Sequence, residues 1–254
     1  MDKKLKIATL RGPSAVEMIR MEAEVLDEPA QMLDEMAAGN LDFAVLPASM
    51  EAVLQKKGID YRIAAAMIWG GLYVCGTDSG IKGIRDLKGR SISVMAGGTP
   101  PEKMLRKLIS EAGMDPDRDV AFDCRFPSHK DLYEAAEKGA TELCILSEPF
   151  VSQALEENPQ MHILLDIASL WQDAEGTLPC ITALFCKGSL AVSAPDTATS
   201  VIDELKDSCE WVKGHPKEAA ELVAAKGIFH NKKAVEASIP RSGFAIVAGM
   251  TKKT

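Results

Sequence analysis

The stretch Gly39-Asn40-Leu41-Asp42-Phe43-Ala44-Val45-Leu46-Pro47-Ala48-Ser49-Met50 decides the fold class. Its first residue is suited to ending a helix, and the apolar run at 43–46 is broken by a proline. A short segment with apolar side chains on both faces is typical of a strand in a parallel sheet under helices. The pattern recurs from Gly139, with Glu142 in place of Asp42 and Leu146 in place of Leu46. The repeat predicts an α/β fold with two similar lobes.

Composition narrows the class of protein and its partners. The 254 residues are enough for one large or two modest domains. A hydrophobic content of 46% with 26% charged residues is ordinary for a globular chain. The net charge is −8 and no basic block stands out beyond Lys252-Lys253, so we do not expect nucleic acid as a partner. No apolar stretch approaches the roughly 20 residues that span a bilayer.

Cofactor and metal motifs are not found. None of the six cysteines forms a C-x-x-C pair, and the four histidines are scattered, which predicts four of the cysteines as small core residues and no metal site. The Gly97-Gly98 pair lacks the third glycine of a dinucleotide fingerprint. The phosphate-binding P-loop and the G-x-S-x-G nucleophile elbow are also missing. We therefore expect no cofactor and assign no catalytic residue.

Alternating strand and helix patterns define the predicted lobes. Residues 1–80 plus 186–254 form the first, discontinuous lobe, and residues 81–185 form the second, with a ligand cleft between them. Two chain crossings, near Leu72–Gly83 and Pro179–Lys187, form the predicted hinge. The predicted strands are Leu5–Leu10, Val25–Leu26, Phe43–Leu46, Tyr61–Ile68, Leu72–Cys75, Ser91–Met95, Val120–Cys124, Glu142–Leu146, Ile163–Asp166 and Cys180–Cys186.

Four loops follow predicted strands and precede predicted helices. Open α/β sheets bind ligands at the carboxyl ends of strands, and helix N-termini attract carboxylate, sulfonate, nitrate or phosphate groups. The alternative is that glycine, proline and serine simply make these turns. If the loops align on one cleft, the predicted ligand-binding residues are Arg11, Gly12, Pro13 and Ser14, then Ala48 and Ser49, then Gly97, Gly98 and Thr99, then Ser147 and Glu148.

Four side chains are singled out by their positions in the predicted elements. Arg11 is expected to offer two parallel donors to an anion. Trp69, which precedes Gly70, either forms a flat wall for the ligand or packs at the junction of the lobes. Glu148 binds a cationic group, acts as a general acid or base, or caps its own helix. His129 begins a helix after an outer strand and is predicted to lie on the surface.

These motifs resemble the type II periplasmic binding proteins of ABC importers, most closely the nitrate, sulfonate and thiamine-precursor group. The resemblance spans nearly the whole chain and implies two doubly wound α/β lobes, joined by a two-strand hinge, that close on one small ligand. The short motifs Asp-Leu-Lys-Gly and Glu-Pro-Phe are the parts of the sequence most specific to this family. The segments that carry it are Leu10–Ser14, Gly39–Pro47, Ile84–Arg90, Leu146–Val151 and Ala237–Pro240.

The resemblance also implies partners and a subcellular location. It implies a monomer that delivers a small anionic or polar heterocyclic solute to an ABC transporter permease. It implies a periplasmic or membrane-anchored extracytoplasmic location. The family's usual export leader or lipoprotein cysteine is not found, and relatives usually continue with a helix after Ala245–Met250. A cytoplasmic location is therefore the alternative.

Two rival classes share the implied fold. One is an enzyme, such as a chorismate dehydratase-like lyase of menaquinone biosynthesis, for which Glu148 is the one candidate acid or base. Thiamine-pyrimidine synthases also resemble these proteins, but they use a cysteine-rich cluster that this chain lacks. The other class is the effector domain of a transcription regulator, although nothing before Leu5 could form a helix-turn-helix.

Overall fold

A computed structural model describes residues 4–249, which divide into two compact units. Unit 1 comprises Met1–Trp69, Cys180–Lys232 and Gly243–Thr254, of which 1–3 and 250–254 lie outside the described residues. Unit 2 comprises Gly70–Pro179 and Lys233–Ser242. Each unit contains its own sheet and its own helices, so the predicted α/β class is confirmed.

The sheet of unit 1 has the strand order β11-β4-β10-β3-β1-β2. Strands β1, β2 and β3 run parallel, whereas β10 is antiparallel to both β3 and β4, and β11 is antiparallel to β4. The elements are β1 (Ile7–Leu10), α1 (Pro13–Glu17), β2 (Glu24–Leu26), α2 (Pro29–Ala37), β3 (Phe43–Pro47), α3 (Met50–Lys56), β4 (Tyr61–Ile68), β10 (Thr182–Lys187), α8 (Gly188–Ser193), α9 (Pro195–Gly214), α10 (Pro216–Ala225) and β11 (Phe244–Ala248).

The sheet of unit 2 has the strand order β7-β6-β8-β5-β9. Strands β6, β7 and β8 run parallel, and β5 is antiparallel to its neighbours β8 and β9. The elements are β5 (Leu72–Gly76), a 3₁₀ turn (Ile84–Leu87), β6 (Ser91–Met95), α4 (Pro100–Glu111), β7 (Ala121–Phe126), α5 (His129–Glu137), β8 (Leu143–Ser147), α6 (Phe150–Glu157), β9 (His162–Asp166) and α7 (Ile167–Glu175), followed near the end of the chain by α11 (Lys232–Ser238) and a second 3₁₀ turn (Ile239–Arg241).

Strand β3 lies inside its sheet, between β1 and β10, as the opening stretch predicts. Phe43, Ala44, Val45 and Leu46 are all buried because both faces of this strand are covered. Fully burying a side chain such as Phe43 contributes roughly 1.5–3 kcal/mol to stability. In unit 2, β8 takes the corresponding place between β6 and β5.

The boundaries of the units differ from the predicted lobes in three places. Strand β5 belongs to the sheet of unit 2, so unit 1 ends at Trp69 rather than residue 80. Strand β10 pairs with β3 and β4, so the chain returns to unit 1 at Cys180 rather than residue 186. Residues 233–242 belong to unit 2 instead of the first lobe, so the chain passes between the units four times rather than twice.

Helices α7 and α8 and strand β11 were missed by the sequence patterns. Helix α7 begins at the N-cap Asp166, whose Oδ1 accepts hydrogen bonds from the backbone of Ala168 at 3.0 Å and Ser169 at 3.2 Å. Strand β11 forms an edge of the sheet in unit 1. Its five residues are all apolar although most of them are exposed, so its sequence shows no alternation of apolar and polar residues.

The part of the chain that the structure describes has no helix of the length and apolarity needed to cross a bilayer. Across residues 4–249, no group of three or more histidine, cysteine, aspartate or glutamate side chains is placed to hold a metal ion.

Candidate ligand-binding loops

The two predicted loops of unit 1 lie at the same edge of its sheet. Strands β1 and β3 are parallel neighbours, with Ala8 opposite Ala44, so their carboxyl ends point the same way. The loop Arg11–Gly12 and the start of α1 follow the first strand, and Ala48–Ser49 follow the second. The register therefore brings these two loops together.

Unit 2 repeats this arrangement. Strands β6 and β8 are parallel neighbours, with Ile92 opposite Leu143 and Ser93 opposite Cys144. The loop 96–99 follows β6, and Glu148 follows β8. Each unit thus gathers two of the four predicted loops at the carboxyl edge of a sheet, where open α/β folds bind ligands.

The side chain of Arg11 forms hydrogen bonds and an ion pair within unit 1. Its Nη1 donates to the backbone oxygens of Gly227 at 3.0 Å and Ile228 at 2.7 Å, just beyond α10. Its Nε pairs with Asp27, and its backbone N–H donates to Leu26 at 2.8 Å. Much of the guanidinium is therefore used inside the unit, and its role as an anion donor stays a prediction.

The neighbours of Arg11 are also bonded internally. Gly12 is buried with an extended backbone, and Pro13 begins the five-residue helix α1. The Ser14 hydroxyl is buried and shares a 2.9 Å hydrogen bond with the Thr9 hydroxyl. The first loop consequently presents backbone rather than side-chain hydroxyls.

The second loop of unit 1 is more open. The backbone N–H of Ala48 donates to the oxygen of Ile181 at 3.1 Å, which ties the loop to the start of β10. Ser49 is exposed, and its hydroxyl makes no capping bond to α3.

Trp69 is held against the edge strand of unit 1. Its backbone N–H donates to Gly243 at 3.0 Å, and its indole Nε1 donates to the oxygen of Ala245 at 2.8 Å. The residue is half-buried, so the ring has a fixed orientation and an exposed part. Gly70, the first residue of unit 2, is also half-buried.

The loop after β6 has an unusual backbone. Ala96 adopts a left-handed φ of 49°, which costs an L-residue about 1–2 kcal/mol. Its N–H donates to Phe126 at 2.9 Å, and the Thr99 hydroxyl donates back to Met95 at 3.1 Å and to Ala96 at 3.2 Å. These bonds keep the strained conformation in place, and such strain clusters at functional sites.

Glu102, which was not predicted as a site residue, occupies the N-terminus of α4. Its Oε2 accepts the N–H of Gly98 at 2.6 Å, and its Oε1 accepts the Nε of Arg106 at 2.6 Å. Burial raises the pKa of this carboxyl, but the bonds from Arg106 and Gly98 outweigh burial and lower it. The spacing Thr99-x-x-Glu102 is a capping-box signal that could have identified it. Gly97, beside this contact, is exposed.

Glu148 lies just before α6 and bonds forward to the first turn of that helix. The residue is fully buried, and its Oε2 accepts from the backbone N–H of Ser152 at 3.0 Å and from the Ser152 hydroxyl at 2.7 Å. Its Oε1 accepts from Nε of Arg241 at 2.8 Å, and Nη2 of Arg241 donates to Ser152 at 2.7 Å. Of the three roles considered, this geometry fits the helix cap. Ser147, before it, is half-buried.

His129 is half-buried rather than exposed, so the prediction of a surface position is wrong. Its ring stacks on Phe150, with centroids 5.8 Å apart, and its Nδ1 is buried without a hydrogen-bond partner. Burial lowers the pKa of His129 to about 4, so the ring is neutral at neutral pH. The short sequence signal of a helix start gave no information on this packing.

Comparison with known proteins gives a family and a set of structural neighbours. The sequence matches the model of the NMT1-like family over residues 21–227. Comparison with curated protein sequences gives no match.

Among solved structures, the chain is similar to a protein described as an ABC transporter from Parabacteroides distasonis, with 24% identity and a TM-score of 0.83 over 97% of this chain and 87% of that one. It is similar to the periplasmic aliphatic sulphonate binding protein SsuA from Escherichia coli, with 15% identity and a TM-score of 0.80 over 98% and 82%. It is also similar to the periplasmic nitrate-binding protein NrtA from Synechocystis, with 16% identity and a TM-score of 0.67 over 92% and 69%.

At these identities the solved structures show a shared fold, and the fold expected from the sequence motifs is confirmed. The family match covers well over half of the residues. The chain therefore belongs to the NMT1-like family and has the fold of the periplasmic binding proteins.

Proposed function

We propose that this chain is the substrate-binding component of an ABC transporter, which captures one small solute and delivers it to a permease. Family membership and the shared fold support this proposal. The observation that carries it is the pairing of loops at the carboxyl edge of each sheet. Strands β1 and β3 pair in unit 1, and β6 and β8 pair in unit 2.

The state of Glu148 favours binding over catalysis. A chorismate dehydratase-like lyase on this fold needs a positioned acid or base, and Glu148 is the carboxylate that the predicted loops offer. Its two oxygens are engaged by Ser152 and Arg241 and are buried. A carboxylate held in this way supports the helix rather than reaching a substrate.

Occupied helix ends favour a polar heterocycle over a simple anion as the ligand. Helices α4 and α6 both begin at predicted site loops. The Glu102 carboxylate already binds the N–H of Gly98 in the loop before α4, and the Glu148 carboxylate binds the N–H of Ser152 in the first turn of α6. A further anion would meet a carboxylate, already paired with Arg106 or Arg241, where the helix dipole would otherwise attract it. The exposed part of the Trp69 ring offers a flat surface for stacking a neutral or cationic ring.

A ligand-observed NMR panel tests the function. The purified protein is mixed with nitrate analogues, alkyl sulfonates, pyrimidines, amino acids and chorismate and is followed over hours. We expect selective broadening of a heterocyclic compound whose signal persists. Disappearance of one compound with new product peaks would identify an enzyme, and broadening of sulfonates alone would contradict the heterocycle.

The Trp69→Ala variant tests the stacking role. We expect the Kd for the compound found in the panel to rise roughly tenfold, because the flat contact is lost. Trp69→Phe keeps a ring without the bond to Ala245 and should bind nearly as well as the natural protein. Trp171→Ala is the matched control, since Trp171 is a half-buried tryptophan on α7 of unit 2 that contacts Lys107. An unchanged Kd for the Trp69→Ala variant would remove this residue from the site.

Capture is proposed to occur by hinge closure of the two units on the ligand, in a monomer outside the cytoplasm. Only a ligand that binds the closed form more tightly can shift the hinge equilibrium. Small-angle scattering is expected to give a smaller radius of gyration with saturating ligand. Equal values with and without ligand would count against closure.

A further inference from the structure

Two cysteines of unit 2 lie directly opposite each other on neighbouring strands. The antiparallel register of β5 and β8 places Cys75 opposite Cys144. Both side chains are fully buried and belong to one hydrophobic cluster, together with Tyr73 and Leu146. They are free thiols in the structure, on the same face of the sheet.

The hydrogen-bond pattern fixes the separation of their backbones. The N–H of Glu148 donates to the oxygen of Gly71 at 2.9 Å, which marks these two residues as a hydrogen-bonded pair in the β5–β8 register. Antiparallel ladders alternate pair types at every residue, so Cys75 and Cys144, four positions along, are again a hydrogen-bonded pair. Their Cα atoms are then about 5.5 Å apart, inside the 4.4–6.8 Å window of disulfides. The Cβ atoms of facing residues lie about 4.5–5.5 Å apart, against about 3.5–4.5 Å in a disulfide, so the two strands must draw slightly closer when the bond forms.

The remaining cysteines are not placed to compete. Cys124 lies on β7, which is separated from β8 by β6, so its backbone is about 9–10 Å from that of Cys144. Cys180, Cys186 and Cys209 belong to unit 1. Across the described residues, Cys75 and Cys144 are the cysteines that a strand register places opposite each other.

We propose that Cys75 and Cys144 form a disulfide that joins β5 to β8 when the chain folds in the presence of a disulfide oxidant. One thiolate attacks the oxidant, giving a mixed disulfide and one released thiol. The second thiolate then attacks the protein sulfur of that mixed disulfide, forming the Cys75–Cys144 bond and releasing the second thiol. The protein loses two protons and two electrons, which the oxidant gains as its two thiols.

Burial determines when this bond forms. It raises the pKa of the Cys144 thiol to about 12, and it raises that of Cys75 as well, with a further contribution from the nearby Cys144. Thiolates are the reactive species, so the folded reduced protein is expected to react slowly. Oxidation therefore belongs to folding, before the strands close over the pair.

Oxidative refolding of the full chain tests the bond. Reduced protein is unfolded in guanidinium, diluted into mixed oxidised and reduced glutathione, and trapped with iodoacetamide in denaturant. We expect four alkylated cysteines and one cross-linked peptide that contains Cys75 and Cys144. The loop closed is roughly 70 residues, and we expect the urea midpoint of unit 2 to rise by roughly 1–2 M and to fall again with dithiothreitol.

Variants separate this pair from its competitors. Cys75→Ala should abolish both the cross-link and the effect of dithiothreitol, whereas Cys124→Ala should leave both in place. Six alkylated cysteines in refolded natural protein, or a cross-link to any other cysteine, would overturn the proposal. Peptide mapping of the natural protein decides the question even if Cys75→Ala does not fold.

Discussion

Glu17→Gln is expected to stabilise unit 1 by on the order of 3 kcal/mol at pH 7 and by about 1 kcal/mol at pH 5. Glu17 lies on α1 with both carboxyl oxygens buried, and no nitrogen or oxygen donor of the described residues bonds to them. Burial raises the pKa of this carboxyl from 4.5 to about 8, although the Cys209 thiol and the Lys213 ammonium lower it in part. Glutamine keeps the shape of the side chain and removes the ionisation.

The sign of the pH dependence follows from the raised pKa. The folded protein holds a proton on Glu17 that the unfolded chain releases at lower pH. The stability associated with this proton is complete below pH 4.5, and it is lost as the pH rises towards about 8. The natural protein should therefore lose stability over this window relative to the variant.

Urea unfolding at several pH values measures this difference. Glu22→Gln is the matched control, because Glu22 is an exposed carboxylate in a surface ion pair with Lys4 and should change stability by less than 1 kcal/mol. Parallel pH profiles for the natural protein and the Glu17→Gln variant would show that Glu17 does not titrate in this range.

Arg241→Ala is expected to destabilise unit 2 by about 3 kcal/mol. The substitution leaves the fully buried Glu148 carboxylate without its cationic partner, and Ser152 loses a donor to its hydroxyl. Removing one partner of a buried pair is costly because the remaining charge stays desolvated. The arginine is about one-third exposed, so we take the lower end of the range that such substitutions give.

Segment 233–242 should also detach from unit 2 more often in this variant. Its backbone contact with β5, in which the Tyr73 hydroxyl donates to the oxygen of Arg241 at 3.0 Å, is expected to open together with the ion pair. Hydrogen exchange of residues 234–242 should therefore speed up.

Lys233→Ala is the matched control on the same segment. The Lys233–Glu156 pair spans 3.6 Å at the surface and should contribute less than 1 kcal/mol. Equal unfolding midpoints for the two variants would mean that the buried pair adds nothing. The double variant Glu148→Gln plus Arg241→Met should recover part of the loss, because no buried charge remains.

Local sequence determined much of the architecture. The apolar run at 43–46 identified an inner strand. The repeat of this run, which ends at Leu146, identified the corresponding strand of the second unit. The positions of four βα loops followed from these strands, because a strand's direction fixes which end faces the next helix. These features depend on windows of about ten residues, in which apolar spacing and turn residues act directly on the backbone.

Tertiary structure alone decided what the loop side chains contact. Arg11 bonds to Gly227 and Ile228, and Glu148 bonds to Arg241, in each case far along the chain. No local pattern encodes these pairs, because a buried carboxylate or guanidinium takes whichever partner the packed chain brings within about 3 Å. Residues 233–242 likewise belong to unit 2, and Arg241 in this segment pairs with the buried Glu148, a contact that position in the sequence does not reveal.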